Sequence, residues 1–175
     1  IVCRDAARPI GKIYALRDVT ATVDSLPLIA ASVMSKKIAA GADKILLDVK
    51  YGSGAFMKTL TEAEELALLM VDIGDGVGRE TLAMISSMEE PLGTGIGNSL
   101  EIAEAIEILS GGGDRRLCGF CVEMASQMLQ LAQPDLSQQA AAEKIRQLLA
   151  SGAALAKFRE FVVAQGGDGR VVDDV

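Results

Sequence analysis

Apolar residues recur along this chain at two spacings, one helical and one alternating or continuous over short runs, and together they outline the architecture. Residues 1 to 11 have a Pro-Ile-Gly break and little periodicity, and read as an arm. From Lys12 to Asp24, Ile13, Leu16, Val19 and Val23 fall at a helical period, although Thr20, Thr22 and the valines weaken the propensity. Ser25 is placed to cap a second helix through its side chain, with Pro27 tolerated in the first turn. That helix carries Leu28, Ile29, Val33, Met34 and Ile38 and stops at Gly41.

Lys44 to Val49, KILLDV, reads as a buried parallel strand, followed by a tight loop at Gly52 and Gly54. Thr61 and Glu64 stand at capping-box spacing before an amphipathic helix that extends to about Val77. Glu80 to Met88 is a second strand, and the turn-rich PLGTGIGN leads to Asn98 as the cap of a helix over Ser99 to Leu109. Helices follow over Leu117 to Leu131, Leu136 to Leu149 and Ala153 to Gln165. Strand, helix, strand, helix with glycine-rich loops after the strands predicts a helix-rich α/β fold with a mostly parallel sheet. Two strands are too few for an independent doubly wound sheet, so the chain is expected to be part of a larger protein or to be stabilised by association.

The chain has 175 residues and a formal net charge of −7. With 3% aromatic residues, that argues against a nucleic-acid binder, which needs a basic face and stacking side chains. The charge is uneven: through Lys37, six cations face only three anions, so a ligand that develops negative charge is drawn to this part. The absence of histidine removes the commonest general base and metal ligand together. No apolar run reaches the roughly 18 residues of a membrane span, and three cysteines, an odd number, suit a reducing cytoplasm. Cys118 and Cys121 form a lone C-x-x-C, read as two small residues on a buried helix face, with a redox motif as the alternative.

Three stretches carry candidate chemistry. Ser32 and Lys36 stand four apart on the second helix, and a hairpin turning near Ser25 would bring Arg17 beside them. A guanidinium fork, an ammonium and a hydroxyl fit the edge of a pyrimidine-2,4-dione, and would stabilise the anion of a departing base more than its ground state. The same spacing also allows Arg17 to pair with Asp18 or Asp24, leaving Lys36 and Lys37 as solvated charges. Asp48 to Phe56, DVKYGSGAF, sits where open α/β sheets bind ligands, and reads equally as a phosphate or sugar loop or as a structural turn. Pro91 to Glu107 could offer loop carbonyls and a carboxylate to a hard monovalent cation, or simply place anions near a helix N-terminus.

At LRDVTATVDSLPLIAASVMSKKIAAGAD, DVKYGSGAFM and MEEPLGTGIGNSLEIAEAIE the chain resembles the pyrimidine nucleoside phosphorylase and thymidine phosphorylase family, over about residues 12 to 175. The resemblance implies a pentosyltransferase that cleaves uridine- or thymidine-type nucleosides with phosphate as co-substrate and no organic cofactor. It implies that Arg17, Ser32 and Lys36 hold the base, and that Leu92, Gly95 and Glu104 form part of a site for a monovalent cation, usually potassium. It further implies a homodimer and no nucleic-acid or membrane partner. On this reading residues 1–11 are an arm, 12–41 a base-binding segment of a helical domain, and 42–175 part of the α/β domain. The family's Lys-x-Ser phosphate loop and active-site histidine have no counterpart in this sequence, so the 175-residue chain alone is expected not to catalyse phosphorolysis. Two rivals stand beside it: a related nucleotide phosphorylase or phosphoribosyltransferase, and a non-catalytic helical interaction or oligomerisation fragment.

Overall fold

The computed structural model describes residues 15–17 and 19–173, and the expected arm at 1–11 lies outside them. The chain divides into two compact units between Glu90 and Pro91. In the first, helix α1 (Leu26–Ala39), strand β1 (Lys44–Tyr51), helix α2 (Leu60–Gly76) and strand β2 (Glu80–Ser87) form a β-α-β crossover with one helix before it. The strands pair in parallel from Lys44↔Glu80 to Tyr51↔Ser87, which makes the fold a helix-rich α/β one. Helix α1 shares its core with the sheet.

That core follows from two periodicities. Ile45, Leu47 and Val49 alternate along β1 and turn one way, while Asp48 and Lys50 turn the other. Ala63, Leu66, Ala67 and Met70 form the inner stripe of α2, and Ala30 and Met34 that of α1. Gly41, at φ 79°, supplies the left-handed residue after α1 that a side chain would disfavour.

The caps depart from the sequence expectation in three places. Helix α2 begins earlier: Thr59 is its N-cap and forms the reciprocal capping box with Glu62, whereas Thr61 and Glu64 are helical. A capping box needs Ser/Thr followed three residues later by Glu, and this sequence satisfies it twice within six residues. Ser25 does occupy the N-cap of α1, with Pro27 in the first turn, but its side chain makes no capping bond. Between Lys12 and Asp24, residues 15–17 and Val19 are helical, after which the chain turns, with Ala21 at φ 52°.

The second unit is helical: α3 (Asn98–Leu109), α4 (Arg115–Ala132), α5 (Gln138–Ala150), α6 (Ala153–Ala164) and a 3₁₀ turn at Gly169–Val172. Gly97, not Asn98, is the N-cap of α3, and Asn98 is its first helical residue. Asp114 caps α4 by accepting the Leu117 N–H at 2.7 Å, and Ser137 caps α5 by accepting that of Ala140. Ile106, Ile108, Val122, Ala141 and Val172 are buried, as is Ser126, whose hydroxyl donates to the Val122 carbonyl at 2.6 Å and so needs no other partner. Cys118 is half-buried and Cys121 exposed, which corrects the reading of both as residues of a buried face. Among the described residues no helix is long and apolar enough to cross a membrane.

Candidate functional site

Ser32 and Lys36 project from α1 one turn apart, about half a turn round the helix from Ala30 and Met34. The core therefore fixes the axis of α1 while this pair faces away from it, Ser32 half-buried and Lys36 exposed. Lys36 and Lys37 lie in the last turn, where cations complement the helix dipole. Arg17 lies on the segment that feeds α1, half-buried, and its Nη2 donates to the carbonyls of Val23 at 2.8 Å and Thr22 at 3.3 Å. The guanidinium thus ties down the turn from Thr20 to Asp24 that sets the entry into α1. The sequence had suggested ligand binding or ion pairing for Arg17, and backbone clamping was missed because carbonyl acceptors leave no mark in the residue pattern.

At the C-terminal ends of the strands the loop DVKYGSGAF is closed on itself. The N–H of Gly52 donates to the Met57 carbonyl, Ser53 to Glu89 Oε2, Gly54 to the Met88 carbonyl and Ala55 to the Gly52 carbonyl, all at 2.9–3.1 Å. Gly52 takes φ 121°, and a Cβ there would crowd the Glu89 carboxylate. Lys58 Nζ adds bonds to the carbonyls of Ser53 and Ala55. With those four amides engaged internally, the structural-turn reading is the one this geometry supports. On the sheet face beside it, Lys50 Nζ lies 2.8 Å from both Asp48 Oδ2 and Ser86 Oγ, and Ser86 donates to Asp48, a closed triangle that joins the two strands.

In the second unit the loop preceding α3 folds over Glu104. Its Oε1 accepts the backbone N–H of Thr94 at 2.7 Å and the Thr94 hydroxyl at 2.8 Å, and its Oε2 accepts the Gly95 N–H at 3.3 Å. Gly93 passes so close that a Cβ would lie 2.7 Å from Glu104 Cδ. Gly95 is equally confined, with the Leu100 carbonyl 2.8 Å from the same position on it. Glu104 therefore brings Gly95 to its own carboxylate, while Leu92 sits exposed at the start of the loop. Thr94 and Gly93, the residues that make this closure, were not singled out from sequence, although G-T-G is a signal for a tight approach.

This donor set fits a hard monovalent cation in part: an ionised carboxylate with lone pairs beyond its three hydrogen bonds, and loop carbonyls. Among the described residues no three His, Cys, Asp or Glu side chains cluster as a metal site, so backbone oxygens would have to supply most of the ligation. The same carboxylate lines a cavity of about 680 Å³ together with Glu107, Asp114 and Asp173.

The Thr94 backbone N–H, followed by its hydroxyl, holds the Glu104 carboxyl below its ordinary value of 4.5. A carboxyl with a depressed folded-state pKa contributes stability that is complete above the unfolded value and lost as pH falls through the folded one. The Thr94 and Gly95 amide resonances are accordingly expected to titrate with a midpoint below 4.5. Glu104→Gln should abolish that acid transition, and a midpoint above 4.5 in the parent would contradict the arrangement.

Comparison with known proteins places the chain among relatives. A family model described as "Glycosyl transferase family, a/b domain" matches residues 6–155. The pyrimidine-nucleoside phosphorylases of Geobacillus stearothermophilus and Bacillus subtilis (strain 168) are each 55% identical over 163 residues, covering 93% of this chain and 38% of the relative. That of Staphylococcus aureus (strain bovine RF122 / ET3-1) is 57% identical over 162 residues, 93% of this chain and 37% of the relative. The chain thus spans less than two fifths of the length of these relatives.

Proposed function

Since this chain belongs to the glycosyl transferase family through its a/b domain, we propose that it is a portion of a pyrimidine-nucleoside phosphorylase and supplies the base-recognition part of the site. The observation that carries this reading is 55–57% identity to enzymes of that name across 93% of the chain, a span that covers α1 and the turn before it. The whole enzyme transfers a pentosyl group from a pyrimidine to phosphate: the C1′–N1 bond breaks, a C1′–O bond to phosphate forms, and the base leaves as an anion or takes up a proton. Arg17 and Lys36 neutralise charge growing on the base carbonyls, and Ser32 sets the base in register at N3. Support for Ser32 and Lys36 comes from their common outward face on α1, and for Arg17 from its place on the turn that positions that helix.

The loop from Leu92 to Gly95 with Glu104 is, on the same reading, part of a potassium site that fixes the loop. Its support is the depressed, hydrogen-bonded carboxylate and the close approach at Gly93 and Gly95. A homodimer and a cytoplasmic location belong to this reading too, supported by the family resemblance.

Calorimetric titration of the 175-residue chain with uracil tests the base site. Arg17→Ala and Lys36→Ala are each expected to weaken uracil binding about tenfold, the value of one charge-assisted hydrogen bond of roughly 1.4 kcal/mol. Affinity unchanged in both variants, or no uracil binding by the parent chain, removes the reading in favour of a non-catalytic fragment. The chain alone should not turn over uridine or thymidine with phosphate.

A further inference from the structure

Beside the N-terminal turn of α4 lies a cavity of about 550 Å³ that the proposed function does not use. Its volume is within the roughly 300–1,000 Å³ of small-molecule sites. Arg115 from α4 and Arg146 from α5 both line it, with Gly111, Gly113, Cys118 and Gly119. Neither arginine makes an ion pair among the described residues, so two cations from separate helices face one concavity in a chain of net charge −7. The Cys118 thiol belongs to the same wall, and a Cβ built at Gly119 would meet nothing within 4 Å, so the middle of the C-G-F-C motif is open to an incoming group.

We propose that this cavity is a thiol–disulfide exchange site, in which Arg115 and Arg146 receive a small disulfide bearing carboxylates, Cys118 attacks it, and Cys121 resolves the product. Helical geometry places the Cα atoms of residues i and i+3 about 5 Å apart, inside the roughly 4.4–6.8 Å that a disulfide spans. The two thiols sense each other, since Cys118 adds to the upward pressure on the Cys121 pKa, whose main cause is desolvation. Cys121 also lines the neighbouring apolar cavity of α3 to α6, and Val122 is common to both walls. Cys118 lines the cavity with the two arginines and Cys121 does not, which assigns the first attack to Cys118.

The reaction balances with the disulfide as oxidant. The Cys118 thiolate attacks one sulfur, a mixed disulfide forms, and the first small thiol departs as its thiolate. Cys121 gives its proton to water and attacks Cys118 Sγ, forming the intrahelical disulfide and releasing the second small thiol. Two protein thiols are oxidised by two electrons and one disulfide is reduced to two thiols.

Glutathione disulfide is the probe, with Cys3→Ser as the background and intact mass as the readout. The parent is expected to lose both remaining thiols while retaining no glutathione, and Cys121→Ser to stop at a mixed disulfide on Cys118. Arg115→Gln combined with Arg146→Gln should slow the glutathione reaction about threefold or more, the scale of two exposed charges, and leave the reaction with neutral hydroxyethyl disulfide unchanged. Lysine at both positions should restore the rate, which separates charge from folding. Glutathione retained by the parent, no adduct in Cys121→Ser, or equal slowing with both disulfides overturns the assignment.

Discussion

Met34→Ala is expected to destabilise the first unit by about 2–5 kcal/mol, the range for truncating a fully buried side chain. Met34 is 0% exposed and belongs to the cluster in which α1 meets β1 and α2. Alanine leaves the space empty, because Ala30 one turn earlier is too short to fill it. The loss should appear as a lower urea midpoint with an unchanged slope. Lost packing on the inner side of α1 also loosens the helix that presents Ser32 and Lys36 on its outer side. If the proposed base site is right, uracil affinity should therefore fall in this variant although Met34 lies on the opposite side of α1 from Ser32 and Lys36. A loss below about 1 kcal/mol would mean that α1 collapses onto the sheet without it.

Gly74→Val should cost about 3 kcal/mol or more, the upper end of overpacking. Gly74 is buried in the last turn of α2, and a Cβ there would stand 2.9 Å from Thr81 Cβ and 3.1 Å from Met34 Cε. Thr81 cannot yield cheaply: it is buried, and its hydroxyl donates to the Arg79 carbonyl at 2.8 Å. Replacing a helical glycine gains helix propensity of about 0.5–1 kcal/mol, too little to offset that contact. The test is the urea midpoint of Gly74→Val beside that of Gly76→Val, where a Cβ would meet nothing within 4 Å. Equal effects at the two sites would show that packing between α2 and β2 is not what requires glycine.

Among the described residues, the two strands, their parallel sense and the long helices were legible in the sequence because each rests on a local period: alternation in KILLDV, and the 3.6-residue stripe of Ala63, Leu66, Ala67 and Met70. Caps were less legible. Thr59 and Thr61 are chemically equivalent, and only the path of the chain out of Met57 decides between them. The fate of polar groups was least legible of all, since it depends on partners remote in sequence. Nothing in GSG announces that its amides find Met57, Met88 and Glu89, and nothing in the spacing of Glu104 announces Thr94. Cys121 was misplaced for a related reason: on α4 its neighbours in sequence are apolar, yet exposure is set by which helices lie across from it.

The register of the sheet bears on how the chain folds. Lys44 pairs with Glu80 and Tyr51 with Ser87, and side-chain contacts at the same separation extend beyond the strands, from Asp43–Arg79 through Lys50–Ser86 to Ser53–Glu89, each spanning 36 residues. Every one of these contacts closes a loop of equal length, so the closure entropy falls almost entirely on whichever pair forms first. Once one rung is in place the others add at local cost, and the sheet should assemble in a single step whose barrier is the ordering of α2 between its strands.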